Sequence, residues 1–149
     1  MNAEQFLARW QASIEARAGL IFDLHSRNEF SGNHAEIADQ LAVRNDLTPI
    51  GFNWEMLDPM GDVTDPRSAL GILIRAFETD MEYPKQDWFG CERAQQCARD
   101  FLDLFDRERA TILSNRIEDY WNPLTAAKIE WAFVGFDGEC AALLVLTRD

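Results

Sequence analysis

Long apolar runs are missing from this chain of 149 residues. No stretch approaches the ~20 residues that a membrane-spanning helix requires. The first six residues hold Glu4 and no basic cluster ahead of an apolar segment, so no secretory leader is expected and cytoplasmic residence is. Cysteine is scarce. Cys91, Cys97 and Cys140 are odd in number and form no CxxC, which excludes a disulfide framework and a zinc-ribbon spacing. Cys91 and Cys97 face different ways on one expected helix, and all three read as small buried hydrophobes. Histidine is scarcer. His25 and His34 belong to no HExxH, HxH or Cys/His spacing and read as surface or helix-end residues. GxSxG, the Walker phosphate loop and GxGxxG are all absent. Neither a metal nor a cofactor is expected. Base is short as well: 14 Lys+Arg stand against 26 Asp+Glu, a formal charge of −12, and Lys85 and Lys128 are the only lysines. That excess disfavours nucleic acid and anionic membranes and favours a basic protein partner.

What the chain does have is a core. Its hydrophobic fraction is 47%, with ten Phe and five Trp, which a disordered acidic tail would lack. The length fits one domain, residues 1–149, and no repeat or linker divides it.

Apolar spacing predicts four helices. Residues 3–27 keep Phe6, Trp10, Ile14, Ile21 and Leu24 near a 3.6-residue period, with Gly19 as a point of weakness. Arg17 lies in that stripe and is expected to carry its head to water. A turn at Ser31-Gly32-Asn33 leads into a short helix over His34–Arg44, with Ile37 and Leu41 inward. Asp65-Pro66 reads as the start of a helix reaching Met81. Residues 91–109 form the clearest amphipathic pattern, through Ala94, Cys97, Ala98, Phe101, Leu102, Leu104 and Phe105.

The period then changes. Residues 129–136 alternate, Asp137-Gly138 signals a type I′ turn, and residues 140–146 are apolar throughout. A two-residue loop would set Phe133 opposite Ala142 and Trp131 opposite Leu144. With both faces apolar, the second strand of this hairpin should lie inside a larger sheet. Further strands are expected from residues 111–117 and near Ile50. The fold class is therefore α+β, with N-terminal and central amphipathic helices packed on a small, mainly antiparallel sheet that includes a C-terminal β-hairpin.

Acids gather in three places. Asp100, Asp103 and Asp106 spread round the polar side of the 91–109 helix, where Arg99 and Arg107 offer ordinary ion pairs to Asp103. Glu78, Asp80 and Glu82 sit at a helix end, against the macrodipole and with no local compensation. Glu55, Asp58 and Asp62, followed by Asp65, punctuate an irregular stretch that also holds Phe52, Trp54, Met56, Leu57 and Met60. So apolar a loop must pack on the body or on a partner. Asp58 to Asp62 lacks the alternating oxygens and terminal Glu of a calcium loop. Residues 54–108 carry 13 acids and 6 bases, more than half of the net charge.

Residues 35–43 resemble the first helix of a helix-turn-helix. That implies a recognition helix behind it, but Asp46, Pro49 and Gly51 follow, and the charge is wrong for DNA.

The expected function is a non-enzymatic, immunity-protein-like inhibitor that neutralises a basic toxin or nuclease. Its acidic groups would mimic phosphates, and Trp54 and Trp88 would join them at the interface. The alternatives are an acidic chaperone or adaptor using the apolar hairpin to bind a peptide or partner, and an enzyme with a dispersed carboxylate and His site. Monomer and homodimer both remain open.

Overall fold

The computed structural model describes residues 1–149. Four helices and five strands follow the order α1 (Ala3–Glu15), β1 (Gly19–Ser26), α2 (His34–Arg44), β2 (Glu55–Leu57), α3 (Ala69–Glu78), α4 (Gly90–Leu102), β3 (Thr111–Ser114), β4 (Ile129–Phe136) and β5 (Cys140–Arg148). The strands form one sheet in the order β1-β5-β4-β3-β2, antiparallel at every junction. The α+β class and the C-terminal hairpin are as expected. No helix is long and apolar enough to cross a membrane.

The sheet is covered on both sides. On one, Phe6, Trp10 and Ile14 of α1 meet Leu73 and Phe77 of α3, Phe101 of α4, and Trp131, Phe133, Leu144 and Leu146 of the hairpin. On the other, Ile37, Ala38 and Leu41 of α2 meet Ala132, Val134, Leu143 and Val145. Alternation along β4 and β5 feeds both cores at once.

The first predicted helix splits. Asn2 caps α1 with a reciprocal bond to Gln5, and the helix stops at Glu15. From Gly19 the chain pairs with β5. Leu20, Phe22 and Leu24 share one face of that strand and pack on the larger core, while Ile21 joins the other. The helical reading of Ile21 and Leu24 therefore fails, because a two-residue period in the same segment matches an open sheet edge. Arg17 lies beyond the helix, donating to the Asp87 carbonyl at 3.0 Å.

Two other boundaries move. The helix after the acidic loop begins at Ala69, capped by Ser68, whose Oγ accepts from Gly71 N at 3.1 Å. Asp65 instead closes a turn, and the helix ends at Glu78 rather than Met81. The last helix stops at Leu102, not Arg109. The chain then turns so that the Phe105 ring lies on β4, where a Cβ at Gly135 would sit 2.5 Å from Phe105 Cε2. The strand expected near Ile50 forms five residues later, at Glu55.

The hairpin turns one residue later than its sequence signal. Phe133 pairs with Leu144 and Trp131 with Leu146. Gly138 has no positive φ, so a type I′ turn centred on Asp137-Gly138 is not formed. Asp137 Oδ1 accepts instead from the backbone N–H groups of Glu139 and Cys140, and its Oδ2 from that of Asp106. The resulting shift of two residues leaves every side chain on its expected face.

A fully buried carboxylate fixes the long connection into β4. Glu130 accepts from Asn115 Nδ2 (3.0 Å), Leu124 N (2.9 Å), Thr125 N (2.9 Å) and Thr125 Oγ1 (2.7 Å). Asn115 adds Oδ1 as acceptor for Ala132 N at 2.8 Å. Glu130→Gln turns an amide donor toward these donors. We expect it to cost about 2–4 kcal/mol, read as a lower urea midpoint at unchanged slope.

Candidate functional site

The stretch that places the most exposed apolar surface beside acid is residues 52–67. Its position begins with α2. Asp39 Oδ1 accepts from Ile50 N (3.0 Å) and Trp54 Nε1 (2.9 Å), and Oδ2 from Gly51 N (3.0 Å). Gly51 takes φ +61°, where a side chain would strain the turn. Trp54 is thereby buried, and Phe52 stands out from the crest at 81% exposure.

The next three residues form the outer strand β2. Leu57 enters the larger core, and Met56 points away from it at 49% exposure. Arg67 guards this edge: its guanidinium donates to the Met56 carbonyl at 3.1 Å and to Glu55 Oε2 at 3.2 and 3.3 Å. A bare edge strand would invite pairing with another chain, and an arginine across its carbonyl discourages that.

Residues 58–68 then close on themselves. Asp58 N donates to Arg67 O (2.7 Å), and Ala69 N to Asp58 O (2.9 Å). Three aspartates each hold a local turn: Asp58 accepts from Met60 N (2.9 Å), Asp62 from Thr64 N (3.3 Å) and Asp65 from Arg67 N (2.9 Å). The buried Ser68 hydroxyl donates to Gly61 O at 3.0 Å. Each carboxylate spends one oxygen on its turn, and all three residues are exposed. Met60 and Val63 sit between them, 61% and 52% exposed. The segment is an ordered loop with apolar groups outward and acids between them.

The other sequence candidates divide. Trp54 is a core residue. Trp88 is half-buried, packed on Phe77 and Phe89. Asp100 is buried against α1, accepting from Trp10 Nε1 and Arg9 Nη1, both at 2.8 Å. Asp103 caps the end of α4 and pairs with Arg107 at 3.3 Å; Asp106 lies beyond the helix, 3.8 Å from Arg109. These three acids do not line one helix face. Asp80 is buried with Arg148 at 2.6 Å and Arg17 at 3.7 Å. Glu82 meets Lys128 at 2.5 Å and Arg148 at 3.5 Å. Glu78, the last residue of α3, forms no ion pair. The compensation missing near this cluster in sequence comes from Arg148, the last residue of β5, joined by Arg17 and Lys128. Asp39, Glu130 and Arg67 escaped the sequence reading; Asp137 was read as part of the hairpin turn, but not as the acceptor that holds it.

Of the thiols, Cys97 is buried, Cys140 half-buried and Cys91 exposed, so the buried reading fails for Cys91. Burial, with Asp137 nearby, pushes the Cys140 thiol up to about 11.

No family model, curated protein or solved structure matches this chain.

The inward acids set the response to pH. Burial raises the Asp80 carboxyl, but the N–H groups of Tyr83 and Glu82 and the Arg148 guanidinium more than offset it, holding it below the ordinary 3.8. Asp137 is likewise held low: burial pushes it up, and backbone N–H donors, led by that of Cys140, outweigh it. A depressed carboxyl contributes stability that is present above its unfolded pKa and lost as pH falls through the folded one. Urea stability should therefore be flat from neutrality to about pH 5 and fall below about pH 4. Asp80→Asn should lower the midpoint at neutral pH and flatten the acid loss; an unchanged acid slope would show that the pair contributes nothing.

Proposed function

We propose that this chain is a cytoplasmic, non-enzymatic protein-binding inhibitor of the immunity-protein kind, covering the basic surface of a toxin or nuclease domain. The observation that carries this reading is the 52–67 segment. Phe52, Met56, Met60 and Val63 are exposed on an ordered loop, between Glu55, Asp58, Asp62 and Asp65. Exposed large apolar groups set among fixed charges suit an interface better than a solvated face. The aromatic and Met groups would supply buried area. The carboxylates would steer a basic partner and meet its Arg and Lys side chains.

Asp103 and Asp106, exposed although paired with Arg107 and Arg109, add outward acid after α4 together with Glu108 and would extend the footprint. Asp80, Glu82 and Asp100 are engaged in internal ion pairs and are left out of it. The adaptor reading loses its chosen surface, since β4 and β5 are inner strands buried on both faces.

Asparagine separates charge from structure here, because it can hold the same turn through its carbonyl oxygen. The triple variant Asp58→Asn, Asp62→Asn, Asp65→Asn should stay within about 1 kcal/mol of the parent in stability. Against the basic protein captured from the source cell's lysate and then purified, it should associate at least about tenfold more slowly at low salt. Phe52→Ala with Met60→Ala should instead speed dissociation. Capture and kinetics unchanged in both variants would overturn the reading.

A further inference from the structure

A cleft of about 240 Å³ opens between the end of α3 and the connection after β3. It lies apart from the 52–67 loop in sequence and in lining. Trp131 lines it, as does Asp80, whose carboxylate is already taken by Arg148 at 2.6 Å, and two segments each add one guanidinium and one carboxylate three residues on. Arg75 and Glu78 come from α3; Arg116 and Asp119 come from the connection. Despite this mixture, none of these four groups forms an ion pair within 4 Å, although most of the chain's other arginines do.

Arg116 is held in place before any ligand arrives. It is 8% exposed. Its Nε donates to Glu118 O at 2.8 Å and its Nη1 to Glu130 O at 3.4 Å, leaving Nη2 without a protein acceptor. Its guanidinium carbon lies over the Trp131 ring at 4.3 Å and the Trp121 ring at 5.0 Å. A buried arginine without a carboxylate partner is uncommon. Here burial, and then the neighbouring Arg75 charge, disfavour its charged form, while Asp119 favours it.

We propose that this cleft binds a small zwitterion of the α-amino acid class. Its carboxylate is received by Arg116 and Arg75, and its ammonium by Glu78 and Asp119. The planar guanidinium edge suits a carboxylate. A simple carboxylate would meet two acids at the walls, and a simple amine would meet two guanidiniums; only a ligand with both signs answers both. The volume lies below the roughly 300–1,000 Å³ of drug-sized pockets, which limits the occupant to a small molecule.

The test is titration of the full chain with a panel of common α-amino acids, with acetate and methylammonium as the separated halves. The readout is the NMR shift of the Arg116 Nε–H and Trp131 Nε1–H resonances. At least one amino acid should saturate with Kd at or below about 1 mM, and each half should bind at least about tenfold more weakly. Arg75→Gln and Glu78→Gln should each weaken binding about tenfold with unchanged thermal midpoint, since neither side chain makes a hydrogen bond or ion pair. No saturation by any amino acid up to about 10 mM, equal binding of acetate alone, or full affinity in both variants would each overturn the proposal.

Discussion

A strand pair with no solvent-facing side must be covered twice, and that requirement shapes the whole chain. Residues 131–136 of β4 and 141–146 of β5 are buried without exception. An antiparallel sheet commonly leaves one face to water. Here α1, α3 and α4 close one face, and α2 with the segment around Trp54 closes the other. Covering a sheet on both sides takes connections that cross its edges. The chain makes such crossings through residues 27–33, between β1 and α2, and through 45–54 and 58–68, on either side of β2; residues 115–128 are a long irregular connection between the neighbouring strands β3 and β4. Their irregular backbone has N–H groups that no ladder satisfies.

Carboxylates answer several of those groups and others in turns elsewhere, which recasts the acidic composition. Asp39 ties down Ile50 and Gly51, Asp80 Glu82 and Tyr83, Asp137 Asp106, Glu139 and Cys140, and Glu130 Leu124 and Thr125. An ionised carboxylate accepts several bonds at once and makes stronger ones than a neutral group. Part of the −12 therefore works inside the molecule as an anchor for loops. The acids outward on the 58–65 loop and around residues 103–108, like Glu78 and Asp119 at the cleft, stay available to another molecule. Net charge alone could not distinguish the two populations.

Periodicity made much of the fold legible. It located α1, α2, both central helices and the hairpin, because each carries its apolar spacing within one segment. It failed where two periods overlapped, at residues 19–26, and where tertiary packing ended a helix early, at Phe105 against Gly135. Most of the inward acids were illegible for a different reason. Asp100 meets Arg9 across 91 residues, and Asp80 meets Arg148 across 68. No local pattern encodes such a pair. The acidic, apolar loop was visible as a stretch that had to pack on something, and both outcomes hold within it. Trp54 and Leu57 pack on the body, whereas Phe52, Met56 and Met60 do not.

That division bears on how such a surface could hold a partner. The edge of β2 is three residues long, and Arg67 occupies the Met56 carbonyl. Backbone pairing with an incoming strand would have to displace this arginine and break its contacts with Glu55. Side-chain contact requires no such displacement. On the inhibitor reading, the two kinds of side chain then carry different quantities. Charge on an exposed loop acts at a distance and is screened within about a Debye length, so it governs encounter and its dependence on salt. Apolar groups act only once desolvated, so Phe52 and Met60 govern how long the complex lasts. Because the turns of residues 58–65 are closed by the same aspartates that face solvent, the loop is already ordered before contact. Little conformational entropy would then oppose binding.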